Sequence, residues 1–223
     1  MKQILFVAAF LTSFTLFAQD DDTSGVIVGT NQYYTKANFL SSKSKTGFTA
    51  GLFSSFYISD NSQIVADLTV SRFYMDFLGR ETLTGNLQWI AFSLDRINLD
   101  VVYHYDVVKL LDDDFVIGVT GGASLGILSD FTLKDDSKSD YYLDPYGADP
   151  EYMRIDTYNE SPSFNVFAIV GATVRYDRYE LNLRYNKGIT DTYRNLPMSS
   201  AYVTPKGKDD YLTLAFHWYT FGF

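Results

Sequence analysis

Cysteine is absent from all 223 residues. Its absence removes disulfides, thiolate metal sites, cysteine nucleophiles and a lipoprotein acyl anchor together. Proline is scarce, at 5 residues, so the chain is neither a proline-rich linker nor a disordered tract. Basic residues are outnumbered, 18 against 27 acidic, for a net charge of −9 and a pI near 4.6. Nucleic acid, which needs clustered cations, is excluded as a partner. The histidines number 2, His104 and His217. Neither has a metal-ligand spacing such as HExxH. There is no G-x-S-x-G elbow, and the paired Gly121 and Gly122 have no helical pattern after them to make a phosphate loop. No enzyme, metal or cofactor is therefore expected.

Long apolar runs are also missing, apart from the N-terminus. There Lys2 supplies a positive start, residues 4–17 an apolar stretch broken by Thr12, Ser13 and Thr15, and Ala18 a small residue before a cut. Leu16 is larger than the ideal residue three positions before that cut. The run falls short of the roughly 20 residues a spanning helix needs, and acidic Asp20, Asp21 and Asp22 follow it. The expectation is a cleaved signal peptide, 1–18, and one domain, 19–223, without a membrane-spanning helix.

What the chain has in quantity is tyrosine and phenylalanine, 18 of each, the material of strands. Period-2 alternation marks strands near 25–34, 46–59, 63–76, 96–109, 115–129, 164–176, 179–189 and 210–219. One face is apolar, as in Tyr179, Leu181, Leu183 and Tyr185. The other is polar or small, as in Glu180, Asn182, Arg184 and Asn186, or Gly118, Thr120, Gly122, Ser124 and Gly126. Short links near 60–62, 111–114 and 177–178 alternate with long ones at 35–45, 77–95, 130–163 and 190–209. Strands long enough for a tilted crossing of about 9–11 residues, joined by alternating short and long links, predict an up-and-down transmembrane β-barrel of about eight strands. An even strand number returns both termini to the periplasmic side. A secreted sandwich or lipocalin-like barrel is the alternative, and it would expose glycines and serines on the strand at 115–129, a poor strand surface.

In the membrane reading the polar parity becomes the lumen. Asp67, Asn98, Asp100, His104, Asp106, Asn165, Arg175, Glu180, Asn182, Arg184 and Asn186 should point inward. About eight strands leave an interior that side chains just fill, so these groups are expected to pair as a plug rather than line a proton or solute path. Tyr33, Tyr34, Tyr57, Tyr74, Tyr103, Tyr105, Tyr176, Tyr179, Tyr185, Trp218 and Tyr219 are the expected aromatic girdle. Two stretches resist the scheme. LQWIAFSL, 87–94, is apolar on both parities: an extension of the next strand, a small hairpin, or a segment resting on the rim. Phe221 and Phe223 break the parity of Leu212, Leu214, Phe216 and Trp218, as a bulge or an early strand end would explain. The link 130–163 mixes carboxylates with Tyr141, Tyr142, Tyr146, Tyr152 and Tyr158, which suits protein or carbohydrate contact. It carries no EF-type calcium loop.

Three stretches, 47–71, 97–128 and 167–191, the last ending in RYNKGITD, resemble the PorT-like small outer-membrane β-barrels. That family commonly has a proline in the strand matching 97–109, and none stands here. The resemblance implies an integral barrel of the Gram-negative outer membrane, in contact with lipid and lipopolysaccharide. For some members it implies a part in type IX protein secretion. It offers no catalytic residues. The functional expectations are a monomeric structural or interaction barrel, a secretion accessory, or a lipid-modifying barrel with catalytic side chains at its outer rim.

Overall fold

The computed structural model describes residues 22–37, 40–111, 114–144, 154–155, 164–191 and 206–221. The predicted signal peptide, Phe223 and most of the link at 145–163, with Tyr146, Tyr152 and Tyr158, lie outside them.

Eight long strands form the wall: β1 (Asp22–Ala37), β2 (Ser42–Ser59), β3 (Ser62–Arg80), β4 (Gln88–Leu110), β5 (Phe115–Leu133), β7 (Phe164–Tyr176), β8 (Tyr179–Gly188) and β9 (Gly207–Phe221). A two-residue strand, β6 (Tyr142–Leu143), lies between β5 and β7 in the chain. Each wall strand pairs antiparallel with its neighbour in sequence, and β1 pairs with β9, so the sheet closes on itself without an edge. Closure matters because a lipid-facing edge would leave backbone groups unpaired in hydrocarbon.

The turns at one end are short for a local reason. Asp60 and Asn61 join β2 to β3, and Asp177 and Arg178 join β7 to β8. Asp177 sits at φ 49°, a left-handed conformation that short polar side chains tolerate. At the other end the expected long links are partly strand. The segment 35–45 shrinks to a connection of 38–41, and 77–95 to 81–87. LQWIAFSL takes the first of its expected forms and extends β4 upward, to 23 residues, far past the roughly 9–11 that cross a bilayer. Its two apolar parities are explained by that height. Ile90, Phe92 and Leu94 point into a packed interior, while Trp89 and Ala91 face out above the wall.

The C-terminal parity break is a bulge. Gly25 opposes Tyr219, yet Ser24 opposes Phe221, skipping Thr220. The extra residue moves Phe221 to the outward face, where it is 72% exposed.

Candidate functional site

The polar residues expected inward, from Asp67 to Asn186, are all buried. Among the described side chains they gather into clusters rather than one continuous network. In the central cluster the Arg184 guanidinium donates through Nη1 to the Asp67 carboxylate and lies 3.5 Å from Asp100 Oδ2. Its Nε donates to Asn182 Oδ1 at 3.1 Å, and the Asn182 amide donates to Glu180 Oε1 at 3.2 Å. Asp67 and Asp100 are directly opposed in the β3–β4 register, so this one cation holds two facing carboxylates apart from mutual repulsion. Nearer the short turns, His104 Nε2 lies 2.9 Å from Asp106 Oδ1, with Lys109 and Arg175 at 3.5 and 3.8 Å from the other oxygen. Asn165 accepts the Thr190 hydroxyl at 3.3 Å. A cavity of about 20 Å³, lined by Asp67, Asp100, Asn186 and His217 among others, lies beside Arg184. That is room for about one water molecule.

The small inward face of β5 admits these side chains. A Cβ at Gly118 would stand 2.5 Å from His104 Nε2, and one at Gly126 would stand 2.8 Å from Arg96 Cδ. On the neighbouring β7, a Cβ at Gly171 would stand 3.0 Å from Arg184 Cγ. Glycine at these points is the space that the long polar groups of other strands occupy.

Arg96, on the same parity as Asn98, joins the expected lumen residues. It is 1% exposed. Its guanidinium lies 4.6 Å from the ring centres of Phe73, Phe167 and Tyr211 and 5.5 Å from that of Tyr33. Its Nε donates to Asn98 Oδ1 at 2.7 Å, and Asn98 donates on to Ser71 at 3.0 Å. Arg96 therefore stands at a boundary. Below it the lumen carries the charge clusters. Above it Phe73, Met75, Phe77, Ile90, Phe92, Leu94 and Phe131 form an apolar cap.

The link after β5 completes that cap. It passes through a short 3-10 turn, Asp136–Lys138, whose start Asp135 caps through its side chain. The Ser137 hydroxyl donates to Asp135 at 2.6 Å and holds its carboxyl below the usual range. The link then pairs as β6 with the upper end of β3, Leu143 against Gly79. Arg80 forms an ion pair with Asp144 there, and Leu143 and Ile155 are buried in the cap. A second apolar cluster, Ile27, Phe53, Val65, Val102, Ile169, Ala215 and Tyr219, also faces inward. The lumen thus differs from the expected polar filling. A barrel this narrow needs volume as much as pairing, and aromatic rings supply it without a desolvation cost.

Two girdle tyrosines are corrected by the same geometry. Tyr219 is 1% exposed, with its hydroxyl donating to Glu180 Oε2 at 3.1 Å. Tyr33 is equally buried, against Phe73 and Arg96. Neighbours in a strand point to opposite faces, so with Trp218 and Tyr34 outward, Tyr219 and Tyr33 must turn in. Tyr103, Tyr105, Tyr176, Tyr179 and Trp218 are exposed on the outward face near the short turns, and Tyr179 stacks on Phe216 at 5.6 Å. Between them and the opposite end the wall is apolar, with Val28, Leu52, Val70, Val101, Val170, Leu181, Leu183 and Leu214 exposed. Tyr185 lies at the upper limit of this belt, donating to Asp210 Oδ2 at 2.6 Å. Cross-strand ion pairs mark the same limit: Arg72 with Asp95 at 2.5 Å, Lys45 with Asp76 at 2.6 Å, and Lys36 with Asp210.

Residues 17–194 match the sequence family described as outer membrane protein beta-barrel domain. No curated protein matches the chain. Among solved structures, it is similar to the attachment invasion locus protein Ail of Yersinia pestis in complex with the heparin analogue sucrose octasulfate. Identity is 11%, 90% of this chain and 99% of that one are covered, and the TM-score is 0.45. It is also similar to the outer membrane protein OprG of Pseudomonas aeruginosa, at 9% identity, covering 89% and 94% of the two chains, with a TM-score of 0.44.

Proposed function

The chain belongs to the outer membrane protein β-barrel domain family, and from that premise we propose that it is a non-conducting barrel working as a structural or interaction component. The observation that carries this reading is the filled lumen. Charge clusters occupy the lower part, Arg96 and its rings the middle, and an apolar cap sealed by β6 the top. Such a barrel has little to pass and much wall to anchor. Its work is binding rather than turnover. The contact surface for a protein or carbohydrate partner is the link 130–163, whose described part brings Tyr141 and Tyr142 to the outer end. Both termini lie on the periplasmic side, with the short turns, and the barrel is monomeric. Lipid surrounds the wall, with lipopolysaccharide on its outer half.

The test is electrical and topological. Purified barrel in planar bilayers should show no steady conductance, and protease added to intact cells should cut within 134–163 but not at the short turns. A stable open channel would refute the plugged reading, and cleavage at 60–61 or 177–178 from outside would invert the orientation.

The secretion-accessory role is the second reading, favoured by the PorT-like stretch at 167–191. The fold places that stretch in β7, its turn and β8. It is wall and periplasmic turn, so a secretion partner would dock at the periplasmic end. Crosslinking from Arg178 in whole cells should capture secretion subunits, and an empty result there removes this role while leaving the barrel intact.

A further inference from the structure

Just above the apolar belt, three adjacent strands bring lysines together on the outward face. Lys36 of β1 is directly opposite Lys208 of β9, and Lys187 of β8 opposes Asp210. All three lysines are exposed. Like charges facing each other across a ladder repel, yet the carboxylate at this point is already committed. Asp210 accepts from Lys36, from the Tyr185 hydroxyl at 2.6 Å and from the Gly188 N–H at 3.0 Å. Asp191, at the upper end of β8, accepts the Gly207 N–H at 3.0 Å. Among the described residues, Lys187 and Lys208 have no ion pair. Lys43 and Lys45 on β2 continue the stripe, with Asp76 answering Lys45 at 2.6 Å. The outward stripe from β8 to β3 therefore carries five lysines against Asp210 and Asp76, on a chain whose total charge is −9.

Height gives the stripe its meaning. Directly below are Leu183, Leu212 and Leu214 of the wall, with Tyr185 and Tyr34 at the boundary. This is where apolar wall gives way to headgroups, and lysines there reach up along their methylene stems to present ammonium groups. With the long links outward, the headgroups are those of the outer leaflet. We propose that Lys36, Lys187 and Lys208 form a binding site for the phosphate monoesters of anionic glycolipid headgroups in the outer leaflet. The inference rests on the membrane-embedded, loops-outward reading above. It adds a specific lipid contact on one side of the barrel, over β8, β9 and β1, and makes lipid association asymmetric.

The experiment uses full mature barrel in a zwitterionic detergent, titrated with bisphosphorylated lipid A and with its dephosphorylated form, with bound lipid counted by native mass spectrometry. Wild type should retain the phosphorylated form preferentially. Lys187→Gln with Lys208→Gln should weaken that retention on the order of tenfold. Arg178→Gln, removing a charge from the exposed turn at the periplasmic end, should leave it unchanged. Heat-shifted gel mobility of every variant reports that the barrel is folded and embedded, so a failed fold is not mistaken for a failed site. Equal retention of the two lipid forms, or an unchanged Lys187→Gln/Lys208→Gln double variant, overturns the proposal while leaving the membrane reading standing. Displacement of lipid A by millimolar inorganic phosphate overturns the headgroup assignment and makes the site one for free phosphate.

Discussion

Replacing Arg184 with methionine tests whether the lumen is held by its central charge cluster. In the native barrel Arg184 is bound to Asp67, lies 3.5 Å from Asp100 and donates to Asn182. All four are buried. Arg184→Met keeps most of the side-chain volume, so packing changes little. What changes is that two opposed carboxylates lose their shared cation. Breaking a buried pair by removing one partner costs about 3–5 kcal/mol. Removing Asp67's charge as well, in Arg184→Met/Asp67→Asn, deletes much of the uncompensated repulsion, and the double variant should be destabilised by only about 1–2 kcal/mol. The double variant should therefore lie about 2–3 kcal/mol closer to wild type than Arg184→Met alone, and the Asp67→Asn single completes the cycle.

The assay is urea unfolding in detergent, followed by tryptophan fluorescence and by heat-shifted gel mobility. Trp218 reports the lipid-facing wall and Trp89 the outer extension, so single-tryptophan versions locate the loss. Neither variant should conduct ions, because the cap of Phe73, Phe77, Phe92 and Leu143 stands apart from Arg184 and closes the end opposite the short turns. A loss under about 1 kcal/mol for Arg184→Met, or strict additivity in the cycle, would show that the cluster is not what holds the lower lumen. A conducting Arg184→Met barrel would show that the cap does not seal.

Other expectations concern single positions. Gly126→Val drives a side chain into the space of Arg96 Cδ, 2.8 Å from the added Cβ; overpacking should cost about 1–3 kcal/mol in the same urea assay, and an unchanged midpoint would show that Arg96 is free to move. Leu111 sits at φ 56° in an exposed turn, where Leu111→Gly should stabilise by about 0.5–1 kcal/mol; destabilisation would contradict the strained conformation. Asp135 has its carboxyl held below the usual range by the Ser137 hydroxyl, so its cap is intact at neutral pH and is lost as pH falls through that lowered value. Asp135→Ala should raise protease cutting of 134–144 at neutral pH and abolish its dependence on acid; a wild-type pattern would dissociate the cap from the order of the link.

Period-2 alternation reads facing directly, because a strand residue's side is set by its parity alone. That is why the wall and the inward polar residues were legible from Tyr179 to Asn186 and from Ile97 to Asp106. Ring type alone does not assign a tyrosine to the girdle; parity does. Tyr219 shares parity with His217 and Tyr211, and Tyr33 with Asn31. Arg96 was readable in the same way, two residues before Asn98. Its aromatic partners were not, since Tyr33, Phe73, Phe167 and Tyr211 come from four strands and meet only when the sheet closes. The upper cap is masked in the sequence by a change of the outward face. Phe73, Met75 and Phe77 continue the parity of Asp67, but the apolar outer face ends at Val70, where Arg72 begins the polar surface. A strand leaving the membrane loses its greasy outside and so stops looking like a membrane strand, even though its inside remains packed.

The reversal along β3 and β4 explains why this barrel needs both kinds of filling. Within the membrane the outward face must be apolar, so lipid covers the wall and the lumen is free to carry charge, provided each charge is paired. Above the membrane no lipid covers the wall, and a two-faced polar strand pair would have no apolar surface to bury and little to hold it against fraying. The inward residues there become Phe73, Met75, Phe77, Ile90, Phe92 and Leu94, which is the ordinary core of a soluble barrel. Arg96 lies where one regime passes into the other, with its Nε on the polar Asn98 side and its guanidinium plane among the rings. A guanidinium suits that position because it can hydrogen-bond in its plane while its faces stack on aromatics. The same chain therefore builds a membrane protein in its lower part and a soluble one in its upper part, and a single arginine joins their cores.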